Sequence, residues 1–261
     1  MRGCAMLGIM IAADVPSGVD ASTGVVAGAA VRATLTVTFH AAKLGLWIAP
    51  GKAYAGTVHV APIGIPALAP QETDAVLLSP NVLRAVPRRG DTATKFTAGR
   101  VLVVGGSTGL LGAPTLASLA AARSGAGYVT AVVPASLHSD FAGQILEVMS
   151  LPLADEGGAI SGEAIPAALE AVTGRGSEGV AVALGPGLGR MFGSQEFARG
   201  LAAMLPVPLV IDADALNAHA GKLALLAERK APTVITPHAG EMARLVGSDV
   251  AEVERERLEV A

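Results

Sequence analysis

The chain has 261 residues, 51% hydrophobic and 16% charged, with a formal net charge of −3 and only 3% aromatics. That length allows one large α/β domain or two smaller ones, and the composition supplies a sizeable core and excludes disorder. Weak negative charge and scarce aromatic rings exclude a nucleic-acid binder, which needs a basic footprint or a stacking platform.

The single cysteine, Cys4, rules out an internal disulfide framework and fits a reducing, cytoplasmic compartment. Arg2 with the apolar residues 5–13 resembles a short signal peptide, but about nine residues are too few to span a membrane as a helix. The same run reads as a buried parallel strand that delivers Asp14 to its C-terminal end, where open α/β sheets bind ligands. Pro16 stops the strand and Ser17-Gly18 makes a tight turn. Asp14 either caps this turn or faces a ligand. Residues 31–39 and 57–63 read as two more strands, and three strands with little helix between them look like the edge of a sheet. Residues 66–98 then change character. Pro66, Pro70, Pro80 and Pro87, with Arg84, Arg88 and Arg89, suggest a connector and a boundary near residue 80.

Residues 100–127 organise the remainder of the chain. An apolar run, 101–104, ends in a loop carrying Gly105, Gly106, Gly109 and Gly112, and 113–123 is rich in helix formers. Strand, glycine loop and helix together present a helix N-terminus to an anion, or simply make a tight turn. The glycine spacing is not G-x-G-x-x-G, and no G-x-x-x-x-G-K-[ST] occurs, so the loop is neither a Rossmann fingerprint nor a P-loop. Strands are expected at 128–133, 179–184, 209–211 and 233–235, and helices at 165–172, 195–205 and 239–246. This repeated βα pattern predicts a mostly parallel sheet with helices on both faces.

Three more motifs come directly after strands and can gather on one sheet edge. GPGLGR, 185–190, suits a ribose or phosphate contacting backbone N–H groups, or a tight βα turn. In DADALN, 212–217, Asp212 or Asp214 can hold hydrated Mg²⁺, or Asp214 caps a helix beginning at Ala215. His219 reads as a solvated helix residue. In TPHAGE, 236–241, His238 can donate a hydrogen bond to a substrate, and Glu241 can act as a first-turn acid or order a metal-bound water. His40, His59 and His138 show no partner at metal spacing.

These residues carry a family resemblance. ADVPSGVDASTG at 13–24, with TVTF and residues 43–51, resembles the end of an NAD(P)H-hydrate epimerase domain. GRVLVVGGSTGLLGA, GPGLG, VIDADALN and ITPHAGE together resemble an ADP-dependent NAD(P)H-hydrate dehydratase, a ribokinase-like α/β domain. Fused in this order, they resemble the bifunctional NAD(P)H-hydrate repair family over residues 13–66 and 95–247. The resemblance implies two regions. Residues 1–80 are the C-terminal part of a Rossmann-like α/β epimerase domain, and 81–261 the N-terminal part of the dehydratase domain.

The implied chemistry is repair of nicotinamide cofactor hydrated across the C5–C6 bond of its ring. One half interconverts the R and S hydrates; the other removes water from the S hydrate using ADP, or ATP, and regenerates NADH or NADPH. Carried over by motif, Asp14 contacts the hydrate in the epimerase half, where Ser17 helps bind K⁺. Ala113, Gly189 and His238 line the hydrate pocket of the dehydratase half. Gly106, Gly109, Asp212, Asp214 and Asn217 are nucleotide or phosphate candidates, and Glu241 a Mg²⁺ candidate. The family's catalytic Asp lies in a G-[TS]-G-D loop that has no counterpart here, so no catalytic residue is assigned. The chain therefore reads as an internal piece, inactive alone, of a cytoplasmic homo-oligomer that acts on a small molecule. Two alternatives stand beside this reading: a ribokinase-like kinase of the hydroxymethylpyrimidine type, and a non-catalytic nucleotide-binding remnant.

Overall fold

Apolar runs closed by glycine, proline or aspartate become parallel strands. The structure is a computed structural model and describes residues 8–65, 77–88, 90–95 and 97–260. It divides into two compact units, 1–83 with 255–261, and 84–254. Arg2, Cys4, Pro66, Pro70 and Arg89 lie outside the described residues.

In the first unit, β1 (Ile11–Ala13), β2 (Leu35–Phe39) and β3 (Thr57–Ala61) form a parallel sheet in the order β1-β2-β3. A short helix, α1 (Lys52–Ala55), precedes β3. Thr36 is fully buried on β2, and its hydroxyl donates to the Ala55 carbonyl at 2.6 Å. The expectation of a buried first strand is corrected: Ala12 is buried, but Ile11 is 60% exposed. Among the described residues β1 pairs with β2 alone, so it is an edge strand with its outward face uncovered.

The second unit runs β4 (Arg100–Val104), α2 (Gly112–Arg123), β5 (Tyr128–Pro134), α3 (His138–Gln144) and β6 (Met149–Leu153). A hairpin of β7 (Asp155–Glu156) and β8 (Ala159–Ile160) comes next. Then come α4 (Ile165–Thr173), β9 (Val180–Leu184), α5 (Phe192–Met204), β10 (Leu209–Ile211) and α6 (Ala213–Ala218). Last are α7 (Ala224–Ala227), β11 (Thr233–Ile235) and α8 (Ala239–Val246). Six strands pair in parallel in the order β11-β10-β9-β4-β5-β6.

Alternation along each central strand sends side chains to two cores. On one face Leu102, Val182, Leu184 and Ile211 pack with Phe197 and Leu201 of α5. On the other Val103, Ala131 and Val133 pack with Phe141 of α3. Burying a Phe197-sized side chain contributes about 2–3 kcal/mol. The motif-bearing strands and helices form where the sequence places them, whereas α3, β6 and the hairpin were not anticipated.

The strand order positions the site. From β4 the chain builds outward through β5 to β6, then crosses to β9 on the other side of β4 and builds outward again. The order reverses between β4 and β9, and ligands of open α/β sheets bind at the carboxyl ends of strands flanking such a reversal. The two strands that carry the glycine loops are these two.

Candidate functional site

The loop after β4 and the loop after β9 meet backbone to backbone. Gly106 N–H donates to the Pro186 carbonyl at 3.0 Å, and Gly185 N–H to Val104 O at 3.0 Å. Ser107, 6% exposed, donates its hydroxyl to Gly187 O at 2.9 Å. Gly185 has φ +121°, and a Cβ there would overlap the Asp212 carbonyl oxygen. GPGLG is therefore first a packing device that lets three loops approach. Gly106 is buried, whereas Gly109 and Ala113 are exposed, Ala113 in the first turn of α2.

DADALN sits on the same edge. Asp212 occupies the N-cap position of α6 without a side-chain capping bond, so the helix starts one position before Asp214 and not after it. Ala213 has φ +51°, a conformation disfavoured for a residue with a Cβ and concentrated at functional sites. Asp214 is 15% exposed and fully engaged. Its Oδ2 accepts from Gly189 N–H at 3.0 Å, and its Oδ1 from Arg190 Nε at 3.1 Å and Asn217 Nδ2 at 3.4 Å. His219, read as solvated, is 1% exposed; its imidazole donates to Ala215 O at 2.7 Å, and desolvation lowers its pKa.

TPHAGE forms a capping box at the start of α8. His238 Nδ1 accepts from Gly240 N–H at 3.1 Å and Glu241 N–H at 3.3 Å, and Glu241 Oε2 accepts from His238 N–H at 3.0 Å. Because both neighbours of Nδ1 are donors, the ring proton lies on Nε2, on a side chain 69% exposed. Glu241 is 8% exposed; its Oε2 is taken by the cap, and its Oε1 lies 3.5 Å from His238 Nε2. Among the described residues no three His, Cys, Asp or Glu side chains gather to hold a metal ion.

The hairpin after β6 completes this rim. Thr108 N–H donates to Gly158 O at 2.9 Å. Asp155 accepts from the Ser136 N–H at 2.9 Å, the Ser136 hydroxyl at 2.7 Å and Gly158 N–H at 3.1 Å. Burial pushes its carboxyl up, but these donors outweigh it and hold the pKa below the usual value. Sequence reasoning missed Ser107, Asp155 and Arg190, whose partners lie far away in the chain. A cavity of about 730 Å³ lies at the opposite edge, between the starts of β4, β5 and β9, lined by Arg100, Tyr128 and Val180. It is remote from the motifs and is not this site.

Asp14 and Ser17 belong to the first unit. Asp14, with φ +67°, directs Oδ1 to Lys43 Nζ at 2.7 Å, the Thr38 hydroxyl at 3.1 Å and Phe39 N–H at 3.1 Å. The Lys43 ammonium and then the Phe39 N–H lower its pKa. Its Oδ2 has no partner among the described residues, leaving an ionised oxygen available on a side chain 43% exposed. Ser17 is exposed, and its carbonyl accepts from Val31 N–H at 2.9 Å. No helix of the described residues is long and apolar enough to cross a membrane.

The family model described as NAD(P)H-hydrate dehydratase matches residues 101–261, and that of the YjeF-related protein N-terminus matches 4–45. The chain is 43% identical over 255 residues to a bifunctional NAD(P)H-hydrate repair enzyme of Moorella thermoacetica, covering 96% of this chain and 47% of the relative. It is 42% identical over 257 residues to that of Salinibacter ruber, covering 95% and 46%. The chain thus spans about half the length of these curated relatives. An ADP/ATP-dependent NAD(P)H-hydrate dehydratase from Bacillus subtilis, crystallised with ATP/Mg²⁺, superposes with TM-score 0.54 at 28% identity, over 69% of this chain and 59% of that one. A ribokinase-like superfamily protein from Enterococcus faecalis superposes with TM-score 0.54 at 22% identity, over 70% and 61%. The fold is ribokinase-like.

Proposed function

The chain belongs to the NAD(P)H-hydrate dehydratase family, and from that premise we propose that its second unit serves the ADP-dependent dehydration of (6S)-NAD(P)H hydrate to NAD(P)H. In the whole protein this is coupled to epimerisation of the R and S hydrates. The observation that carries the reading is the reversal of strand order between β4 and β9, whose carboxyl ends carry the two interlocked glycine loops. The α8 cap follows the edge strand β11 on the same side of the sheet. Ala113 offers a small side chain at a helix start, Gly189 a backbone edge, and His238, with its side chain 69% exposed, an Nε2–H donor to the hydrate. We assign residues 1–80 to the epimerase region and 81–261 to the dehydratase region.

The cofactors belong to the same reading. Magnesium, bound with ADP or ATP, would offset phosphate charge. Asp212 suits it, because its carboxylate makes no hydrogen bond among the described residues and Mg²⁺ prefers oxygen ligands. Glu241 is the weaker choice while it caps α8. Gly109 remains a backbone candidate for nucleotide phosphates, whereas the buried Gly106 N–H is already spent on the Pro186 carbonyl. Potassium is assigned to Ser17, three residues after Asp14, whose available oxygen would contact the hydrate during epimerisation. We read the setting as cytoplasmic and the whole protein as a homo-oligomer.

Calorimetric titration of the 261-residue chain with (6S)-NADH hydrate tests the reading. We expect saturable binding that His238→Ala weakens about tenfold, the worth of one hydrogen bond to a polar ligand. Absence of hydrate binding, with ATP-dependent phosphorylation of a hydroxymethylpyrimidine, would replace this reading with the kinase one.

A further inference from the structure

Asp214 and Asn217 are engaged with two exposed arginines. Asp214 fixes Arg190 through Nε at 3.1 Å, and Asn217, itself bonded to Asp214, accepts from Arg244 Nε at 2.9 Å through its Oδ1. Each guanidinium is thus anchored by its inner nitrogen. No hydrogen bond engages the Nη groups of either arginine among the described residues, and both side chains are exposed, Arg190 by 64%. A Cβ at Gly240 would sit 3.3 Å from His238 Nδ1 and 3.8 Å from Arg244 Nη1, so Arg244 flanks the imidazole of the α8 cap. Arg190 in turn directly follows Gly189 of the second glycine loop. Asp214 offsets one of the two positive charges, and Glu241 is turned to His238.

We propose that Arg190 and Arg244 form a phosphate-recognition site at the carboxyl edge of the sheet, with Asp214 and Asn217 as positioning residues. An arginine held by Nε presents a pre-aimed pair of donors, the geometry that matches phosphate oxygens. The proposal rests on the dehydratase reading only for the source of the phosphate. The nucleotide and the dinucleotide hydrate both carry one.

The test is titration of the chain and of its Arg190→Ala, Arg244→Ala, Arg190→Lys and Arg244→Lys variants with pyrophosphate, ADP and (6S)-NADH hydrate at two salt concentrations. We expect each alanine variant to bind pyrophosphate and ADP about tenfold more weakly, with a shallower salt dependence, and each lysine variant to fall between. Loss confined to pyrophosphate and ADP assigns the site to the nucleotide; loss extending to the hydrate assigns it to the dinucleotide. Equal affinities of wild type and variants for all three ligands, or no wild-type binding of any, would overturn the site. If pyrophosphate binding depends on the arginines but the hydrate never binds, the proposed function fails and the anion site stands.

Discussion

In the loop after β9, a Cβ at Gly185 would overlap the Asp212 carbonyl, and one at Gly187 would overlap the Leu110 carbonyl. In the loop after β4, the corresponding positions at Gly109 and Gly112 have no heavy atom within 4 Å. Both stretches read as glycine loops between a strand and a helix. The first is closed on its neighbours; the second, beyond Gly106, has open space around its glycines. Glycine content thus marks close backbone approach without saying whether the approaching group is protein or ligand.

The largest effect expected from breaking this contrast is at Gly185. Gly185→Ala forces a side chain into a positive-φ position already filled by the Asp212 carbonyl. It should destabilise the chain by about 3 kcal/mol or more, read as a lower urea midpoint. An unchanged midpoint would mean that the closed loop is not closed.

Asp214→Ala removes the acceptor for Gly189 N–H and Arg190 Nε from a carboxylate 15% exposed, at a cost of about 2 kcal/mol. The loss should be local. Amide exchange at Gly189 should accelerate more than exchange in β4 or β9. Uniform acceleration would show instead that Asp214 supports the whole unit.

A third test concerns the C-terminal end of α6. His219 is buried as the neutral imidazole, its pKa pushed by desolvation below the ordinary value of 6.5. Above about pH 6.5 folded and unfolded chains both hold it neutral and it adds no pH dependence. As the pH falls below that, the unfolded chain takes up a proton that the folded one refuses, so stability declines until the folded pKa is passed. The lowered carboxyl pKa values of Asp14, Asp20 and Asp155 act only further down, below the ordinary 3.8. His219→Gln should flatten the decline just below pH 6.5 in pH-dependent urea melts; an unaltered slope would assign the decline elsewhere.

How much of the fold and site was legible depends on where each partner lies. The runs at 101–104, 179–184 and 209–211 announce strands because they are continuously apolar and end in glycine or aspartate, although Val210 in the last is exposed. Strand β6, Met149–Leu153, did not, because Ser150 and Pro152 interrupt its apolar pattern; as an edge strand it tolerates the proline. Asp14 stood out at a strand end, but its partner Lys43 becomes visible only once β2 is in register with β1. Asp214 stood out as an acid, and only the fold shows its oxygens turned to the neighbouring loop. His219 ends a short helix whose burial depends on packing that a local pattern does not encode.

The smallest effect expected on stability, and the sharpest on the comparison, is at Gly112. It is the first residue of α2, and an added Cβ there meets nothing within 4 Å. Alanine has the higher helix propensity and restricts the unfolded chain, so Gly112→Ala should be neutral or stabilise by up to about 1 kcal/mol. The new methyl would nevertheless stand in the open part of the loop beside Ala113, where the hydrate is proposed to bind. Stability and affinity should therefore move in opposite directions at Gly112, whereas at Gly185 both should fall. Titration of Gly112→Ala with (6S)-NADH hydrate decides the matter. Weaker binding by a chain at least as stable as wild type marks the loop after β4 as the ligand-facing one. Wild-type affinity would mean that its open glycines only turn the chain.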